Sequence, residues 1–273
     1  MAIIAITQHI GTRADELGRL VAERLGYRFL NSQMVIDEAA RRFNAPPEQL
    51  IVADERRPHF WERLKTDTAR FIPLFRATTL KFMAADNLVI LGRSVAILLP
   101  DAGMGLRVRL VAPLKERTAA VAIEENLAAA VAERRVRDYD REIRARMQTL
   151  FNVDIEDPLS HHLTLNIHAT PLATLLTMLT EAAAEIDRAA PADGRQKLCD
   201  EALAAEVRAT LMSHPKIGHA PLEVNCLGGK VRVNGPGLVP PWDDLIGRVA
   251  RNVEGVSAVE VNAEEAAAPV RPA

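Results

Sequence analysis

The chain has 273 residues, of which 48% are hydrophobic and 26% are charged, and its formal net charge is −2. This length can bury one medium-sized core and a smaller second one, and the near-neutral charge argues against bulk electrostatic binding to nucleic acid. The two cysteines, Cys199 and Cys226, lie far apart without a CxxC motif, which disfavours structural zinc and is typical of a reducing compartment.

The sequence predicts neither a membrane span nor a leader. No apolar run approaches the roughly 20 residues that cross a bilayer as a helix. The opening "MAIIAIT" is too short for the core of a signal peptide and has no basic leader, so it predicts a strand. We therefore expect a cytoplasmic protein.

Short apolar runs alternate with helix-period segments up to about residue 188. The runs are Ile3–Thr7, Tyr27–Leu30, Leu88–Leu91, Leu106–Val111 and Leu163–Ile167. Five strands that alternate with helices predict a three-layer α/β domain, in which helices cover both faces of a five-stranded parallel sheet. On such a sheet, ligands bind at the carboxyl ends of the strands.

The first strand leads into "ITQHIGTRADELG" (residues 6–18), which predicts a turn and a helix start. Such a turn presents backbone N–H groups and the positive helix end to an anion, although this loop has no Gly-Lys-Ser/Thr. Gly11 supplies free dihedral angles, Thr12 caps the helix, and Arg13 is the candidate phosphate cation. A strand–helix turn without a ligand is the alternative, because a loose glycine motif has low specificity.

Apolar and aromatic residues recur at helical spacing within residues 58–84. They are Phe60, Leu64, Phe71, Phe75 and Phe82. This stripe predicts a long helix that packs against the core. A dimer seam is the alternative, which Pro73 would interrupt or kink.

The segment "RRVRDYDREIRAR" (residues 134–146) concentrates arginines on a predicted helix. The arginines that share one face are Arg134, Arg137, Arg141 and Arg144. Asp138 and Glu142 are spaced to form i,i+4 ion pairs with arginines of the same helix. The spacing is typical of a solvated, salt-bridged helix. The alternative is a lid that brings guanidinium groups over bound phosphates.

Three histidines, His161, His162 and His168, lie around the last strand of this region. Adjacent strand residues point to opposite faces, so only one of the first two could join His168. The sequence therefore predicts no metal site here.

The chain changes character after residue 188. The stretch "AAPADGRQ" is rich in turn residues and opens a predicted linker over residues 189–198. Beyond it we expect a helix near 199–213, two strands around "LEVNCLGGKVRV", a helix near 241–252 and the strand "SAVEVN". This order predicts a separate small α+β domain, α-β-β-α-β, over residues 199–263. Residues 264–273 are expected to form a disordered tail.

Five blocks of sequence follow one another across roughly residues 2–180. They are "IIAITQHIGTRADELGRLVAERLGYRFLN", "NLVILGRSVAILL", "LRVRLVAPLKERTAAV", the arginine-rich helix and "LFNVDIEDP…LTLN". In this order they resemble the cytidylate kinase-like family. The resemblance implies a P-loop nucleoside-monophosphate-kinase-like domain over residues 1–188, with ATP and Mg²⁺ as its cofactors.

The resemblance also implies roles for individual residues. Arg93, after the third strand, would grip an acceptor phosphate, and Arg117 would lie near the base or phosphates of the donor. The Asp-x-x-Arg of the family lid falls either on Asp138 and Arg141 or, one residue late, on Asp140 and Arg144. The expected catalytic residues are Arg93, Arg137 and Arg141, the cofactor-binding residues are Gly11, Thr12, Arg13 and Arg117, and no metal ligand is predicted.

Three departures from the family pattern bear on activity. Arg13-Ala14 replaces Gly-Gly in the loop, Asn31 replaces an aspartate after the second strand, and His161-His162 replaces Tyr-Asp. These changes favour a nucleotide-binding regulator or sensor with weak or no phosphoryl transfer. An active ATP-dependent kinase of CMP or a related nucleoside monophosphate is the alternative.

The C-terminal region from Glu206 resembles a BON domain. The resemblance rests on the hairpin "GGKVRVNG" and on the closing "VEGVSAVEV". It implies a module that binds a protein partner or anionic lipid. A structural or self-association module, and with it a homo-oligomer, is the alternative.

Overall fold

The structure is a computed structural model that describes residues 2–46, 50, 68–85, 87–218 and 220–264. Its larger sheet consists of β1 (Ile3–Gln8), β2 (Arg28–Asn31), β3 (Leu88–Leu91), β4 (Gly105–Val111) and β5 (Leu163–Asn166). All pairs are parallel, in the order β2-β3-β1-β4-β5. This arrangement confirms the predicted five-stranded parallel sheet. The sheet could be predicted because strands that are covered on both faces appear in the sequence as apolar runs.

Helices cover both faces of this sheet. The helices of the described residues are α1 (Ala14–Leu25), α2 (Ser32–Phe43), α3 (Thr68–Ala84), α4 (Val95–Leu98), α5 (Leu114–Glu124), α6 (Ala129–Phe151), α7 (Leu172–Ala189), α8 (Gly194–Ser213) and α9 (Trp242–Arg251). Alternate residues of β1 enter different cores. Ile3 and Ala5 pack with α2, α3 and α4, whereas Ile4 and Ile6 pack with α1 and α7. Among the described residues, no helix is both long and apolar enough to cross a membrane.

The aromatic stripe lies partly on α3. Phe71 and Phe75 are buried in the core and Phe82 packs against it, as the prediction of a long core helix requires. Because the chain itself covers the first two side chains, they are not available for a dimer seam. Phe60 and Leu64 lie outside the described residues.

The smaller sheet consists of β6 (Glu223–Leu227), β7 (Lys230–Pro236) and β8 (Ala258–Glu264). β6 and β7 form an antiparallel hairpin, and β8 pairs in parallel with β7. Gly228 and Gly229 turn the hairpin with φ angles of 58° and 77°, and their N–H groups donate to the Asp200 carboxylate at 3.0 and 3.4 Å. The predicted order α-β-β-α-β is confirmed.

Helix α8 takes part in both cores. Its residues Leu198, Ala202, Ala205 and Ala209 belong to the cluster beneath the large sheet. Val207 and Leu211 belong to the core of the small sheet. The predicted linker, 189–198, spans the last residue of α7, the loop 190–193 and the first residues of α8. The two sheets are therefore joined by a shared helix.

Candidate functional site

The loop between β1 and α1 forms a tight turn. Its backbone is left-handed at Gly11 (φ 77°) and Arg13 (φ 51°), and α1 begins at Ala14. The Thr12 hydroxyl donates to the carbonyl oxygen of His9 at 2.8 Å, which closes the turn. The prediction that Thr12 caps α1 is therefore wrong, because the N-cap residue is Arg13 and no side chain caps the helix. The first turn of α1 leaves N–H groups that have no acceptor within the helix. The loop therefore has the strand–turn–helix geometry on which an anion can bind.

Gly11 lies against the start of α5. A Cβ atom at this position would lie 2.7 Å from the backbone carbonyl oxygen of Arg117, well inside van der Waals contact. Both the positive φ angle and this close approach require a glycine.

Arg13 occupies a conformation that glycine adopts more easily, at a cost of about 1 kcal/mol. Its side chain is largely exposed, and its guanidinium lies 2.9 Å from a Glu16 carboxylate oxygen. The side chain is thus engaged on the first turn of its own helix.

Two cavities flank the loop at the carboxyl edge of the sheet. The larger is a cleft of about 840 Å³ that begins at the ends of β1, β2 and β3, with Gln8, Asn31 and Leu91 in its wall. The smaller, of about 310 Å³, lies beside the residues that follow β4 and β5. Gly11, Thr12 and Arg13 line both cavities. This is the edge at which ligands of parallel sheets bind.

Two other arginines line the larger cleft and stack on one tyrosine. Arg93 is buried, and its guanidinium carbon lies 4.8 Å from the centre of the Tyr139 ring. Arg135 lies 5.3 Å from the same ring centre and 3.5 Å from a Glu125 carboxylate oxygen. One terminal nitrogen of Arg135, Nη1, is buried without a hydrogen-bond partner. The stack holds two guanidinium groups at the cleft.

Sequence reasoning placed Arg93 at this site but did not select Arg135. The sequence feature that could have identified Arg135 is the buried apolar stripe of α6. This stripe consists of Ala132, Val136, Tyr139, Ile143 and Met147. Arg135 borders this stripe, four residues before Tyr139, so it is carried toward the cleft.

Arg137 and Arg141 lie on the opposite, exposed side of α6. Arg137 pairs with Glu133 at 2.8 Å, and Arg141 pairs with Asp138. Neither side chain lines the two cavities beside the loop. This arrangement matches the salt-bridged helix that the spacing also predicted.

Arg117 is buried behind the loop. Its Nη1 atom donates to both carboxylate oxygens of Asp140, at 3.0 and 2.8 Å, and its Nε atom donates to the carbonyl oxygen of Ala112 at 3.1 Å. The side chain ties α5 to α6, and it does not line the cavities beside the loop.

Asn31 ends β2 and caps α2. Its side-chain oxygen accepts the N–H of Met34 at 3.1 Å. An amide keeps the capping hydrogen bond that an aspartate would make but brings no negative charge into the cleft.

Acidic residues nevertheless line the cleft elsewhere: Asp15, Glu16, Glu124 and Glu125. Their charges oppose the three arginines and weaken attraction for a polyanion.

His161 is buried beside β1. The Thr7 hydroxyl donates to the carbonyl oxygen of Val108, so it accepts a hydrogen bond from His161 Nε2 at 3.0 Å. This assigns the proton of the neutral ring to Nε2. A second proton would go to Nδ1, which is buried without a hydrogen bond of good geometry, and the backbone of Asp157 only partly stabilises the charged ring. Burial, and then the positive charge of Arg109, lower the pKa of His161 to about 4.

This lowered pKa predicts an acid-dependent loss of stability. Between pH 6.5 and about 4 the unfolded chain binds a proton that the folded chain refuses, so the free energy of unfolding should fall by up to about 3 kcal/mol. Urea unfolding at pH 7 and 4.5 measures the fall. His161→Gln should remove most of it, whereas His168→Gln, at an exposed position, should not. An unchanged pH dependence in His161→Gln would contradict the assignment.

The three histidines do not converge. His161 contacts Thr7, His162 accepts the N–H of Arg107 at 3.1 Å, and His168 lies 3.7 Å from Glu116. Across the part of the chain that the structure describes, no three metal-ligating side chains lie close enough together to hold an ion.

Several solved structures are similar to this chain at low sequence identity. An uncharacterized protein from Eubacterium ventriosum matches with a TM-score of 0.50 and 14% identity, over 67% of this chain and 99% of its own. Shikimate kinase from Bacteroides thetaiotaomicron matches with a TM-score of 0.43 and 16% identity, over 67% and 98%. A gluconokinase from Sinorhizobium meliloti matches with a TM-score of 0.39 and 17% identity, over 69% and 93%. The first likeness concerns the fold alone.

The family comparison is more specific than these likenesses. No curated protein matches the chain significantly. The model of the cytidylate kinase-like family, in contrast, matches residues 3–169, more than half of the chain, from β1 past β5. The chain therefore belongs to the cytidylate kinase-like family.

Proposed function

We propose that the domain over residues 1–188 binds the phosphates of a nucleotide such as ATP at the loop, as a regulator or sensor that transfers phosphoryl groups slowly or not at all. The supporting observation is that the turn is retained while two of the arginines expected to bind phosphate are paired with carboxylates. Arg13 is paired with Glu16, Arg117 with Asp140, and none of the described residues that line the cleft is a lysine. Phosphate affinity then rests on backbone N–H groups and on the helix end.

The lining residues fit a nucleotide with magnesium. Arg93 and Arg135 provide guanidinium groups for phosphate oxygens, and Asp15 and Asn31 provide the oxygen ligands that Mg²⁺ prefers. A bound Mg²⁺ would neutralise phosphate charge. The chain's own part is to orient the phosphates against the loop.

Slow transfer follows from the positions of these groups. Phosphoryl transfer depends on cations placed around the transferring group, and a displacement of about 1 Å can cost roughly a hundredfold in rate. Arg117 is held by Asp140 away from the cleft, and Arg13 is paired with Glu16 on the first turn of its own helix. The negative charges of the four acidic residues that line the cleft also disfavour transfer, because they repel the phosphates.

An active kinase of CMP or a related nucleoside monophosphate is the second candidate. The stack of Arg93 and Arg135 on Tyr139 favours it, because two guanidinium groups at a cleft of about 840 Å³ suit an acceptor phosphate. Rapid phosphorylation of CMP by the purified protein, in the presence of ATP and Mg²⁺, would decide for this candidate and against the regulator.

Arg135→Ala is expected to weaken the binding of ATP or CMP about tenfold, because a charged hydrogen bond to phosphate contributes about 1.5–3 kcal/mol. Arg137→Ala removes an arginine from the exposed side of the same helix and should leave binding within about twofold. Titration calorimetry of both variants, with and without Mg²⁺, measures the difference. Equal effects of the two substitutions would exclude Arg135 from the site. No binding of ATP, CMP or phosphate at millimolar concentration would overturn the nucleotide function.

We extend the proposal to the C-terminal unit as a BON-like module that responds to nucleotide occupancy and acts on a partner. The order α-β-β-α-β, the glycine hairpin and the shared helix α8 support it. The relay predicts that ATP slows hydrogen exchange in residues 223–264. Unchanged exchange there, with ATP bound, would reject the relay.

A further inference from the structure

A cluster of polar side chains lies behind the loop, between β4 and the segment that follows α6. At its centre is Arg109 of β4, which is buried. Its Nη1 atom donates to the carbonyl oxygen of Ile155 at 2.6 Å. Its Nη2 atom lies 2.5 Å from Glu156 Oε1 and 2.9 Å from His9 Nε2. One guanidinium thus joins the first residue of the loop to the segment after α6.

Glu156 is the counter-charge that makes this buried arginine tolerable. A buried cation is costly unless it is paired and hydrogen-bonded. His9 lowers the pKa of Glu156, burial opposes the shift, and Arg109 lowers it further. The net pKa lies well below the ordinary value, so the carboxylate stays charged at neutral pH.

The same carboxylate also faces α6. Its Oε2 atom lies 3.7 Å from Nη2 of Arg144, which projects from that helix. Glu156 follows the end of α6 at Phe151 by five residues. A rotation of α6 over the cleft would therefore move this carboxylate.

His9 connects this carboxylate to the loop. Its Nε2 atom lies 3.6 Å from Glu156 Oε1, and its carbonyl oxygen accepts the hydroxyl of Thr12. Thr12 in turn lines both cavities, whereas His9, Arg109 and Glu156 line neither. The cluster touches the proposed ligand position only through the loop.

We propose that Glu156 is a positioning residue that couples α6 to the phosphate loop through Arg109 and His9. This inference rests on the proposed function, since it assigns to α6 the movement that accompanies nucleotide binding. Closure of α6 sets the loop through this carboxylate, and a loop without it samples more open conformations.

Glu156→Gln keeps the shape of the side chain and removes its charge. In the ligand-free protein, hydrogen exchange of the His9 amide, which donates to the carbonyl oxygen of Leu110, should rise at least about tenfold, and it should rise more than exchange in β1 and β4. Glu133→Gln is the matched control, because it breaks the exposed ion pair with Arg137 on α6 and should leave loop exchange unchanged. Arg144→Gln, at an exposed position, is a second variant that keeps the fold. It should weaken the effect of ATP on the loop without opening the loop in the free protein.

The outcomes separate this inference from the proposed function. In the wild type, ATP should slow exchange in both residues 9–13 and residues 129–151, and in Glu156→Gln at the same ATP occupancy the slowing of residues 9–13 should be smaller than in the wild type. Unchanged loop exchange in ligand-free Glu156→Gln would overturn the coupling, as would a uniform rise through β1 and β4, which a merely structural role predicts. If ATP does not bind the wild type, the proposed function fails, and the ligand-free comparison still decides whether Glu156 holds the loop.

Discussion

Gly11→Val is expected to abolish nucleotide binding. The new side chain would meet the backbone carbonyl of Arg117 at 2.7 Å, and it would have to adopt a φ angle of 77°. The loop can relieve the contact only by moving away from α5, which removes the N–H groups from the phosphate position. Strain of this kind also costs about 2 kcal/mol or more in stability. Calorimetry with ATP and thermal unfolding measure the two effects.

Gly26→Val is the matched control for this substitution. Gly26 ends α1 with a φ angle of 67°, but a Cβ atom there would meet nothing within 4 Å. The control therefore carries comparable backbone strain without the collision, and it should lose stability while it keeps its ATP affinity. Wild-type affinity in Gly11→Val would mean that the turn does not form the anion site.

Arg42→Ala is expected to destabilise the protein by about 2–4 kcal/mol, because it leaves a partly buried carboxylate without its cation. Arg42 of α2 pairs with Glu206 of α8, and only 11% and 20% of these two side chains are exposed. The arginine also donates to the Thr78 hydroxyl on α3 at 3.3 Å. Urea unfolding followed by circular dichroism measures the loss.

Arg76→Ala provides the comparison for an exposed pair between α3 and α8. Arg76 lies 3.3 Å from Glu201, and the side chains are 48% and 51% exposed. Its removal should change stability by no more than about 0.5 kcal/mol. Equal losses of stability in the two variants would show that burial does not determine how much the Arg42 pair stabilises the protein. If the C-terminal unit senses nucleotide through this contact, Arg42→Ala should also remove the effect of ATP on exchange in residues 223–264.

The sequence by itself determined the order and type of the elements. The inner strands of the large sheet were visible as apolar runs such as Ile3–Thr7 and Leu88–Leu91, because a strand covered on both faces is apolar throughout, whereas the edge strands β2 and β5 showed shorter, mixed runs. The glycine hairpin at 228–229 and the strand–turn–helix at Gly11 were visible because few residues adopt positive φ angles. Family membership followed from the same residues, since these blocks keep their order along the chain.

The faces of two helices were decided by the tertiary structure. On α6, the charge spacing drew attention to Arg137 and Arg141, but the buried stripe turned Arg135 toward the cleft instead. On α8, two apolar faces serve two different cores, and alanine-rich sequence does not reveal which partner each face meets. The pattern of a helix indicates which face is buried, but it does not indicate which element that face packs against.

The partners of the charged residues were also set by the tertiary structure alone. Arg117 meets Asp140, Arg42 meets Glu206, and Arg109 meets both His9 and Glu156. These contacts join residues from 23 to 164 positions apart in the sequence. A guanidinium is equally compatible with phosphate and with carboxylate, and the sequence does not indicate which will lie within reach. Which arginines can contact phosphate therefore depends on ion pairs that form only when the chain has folded.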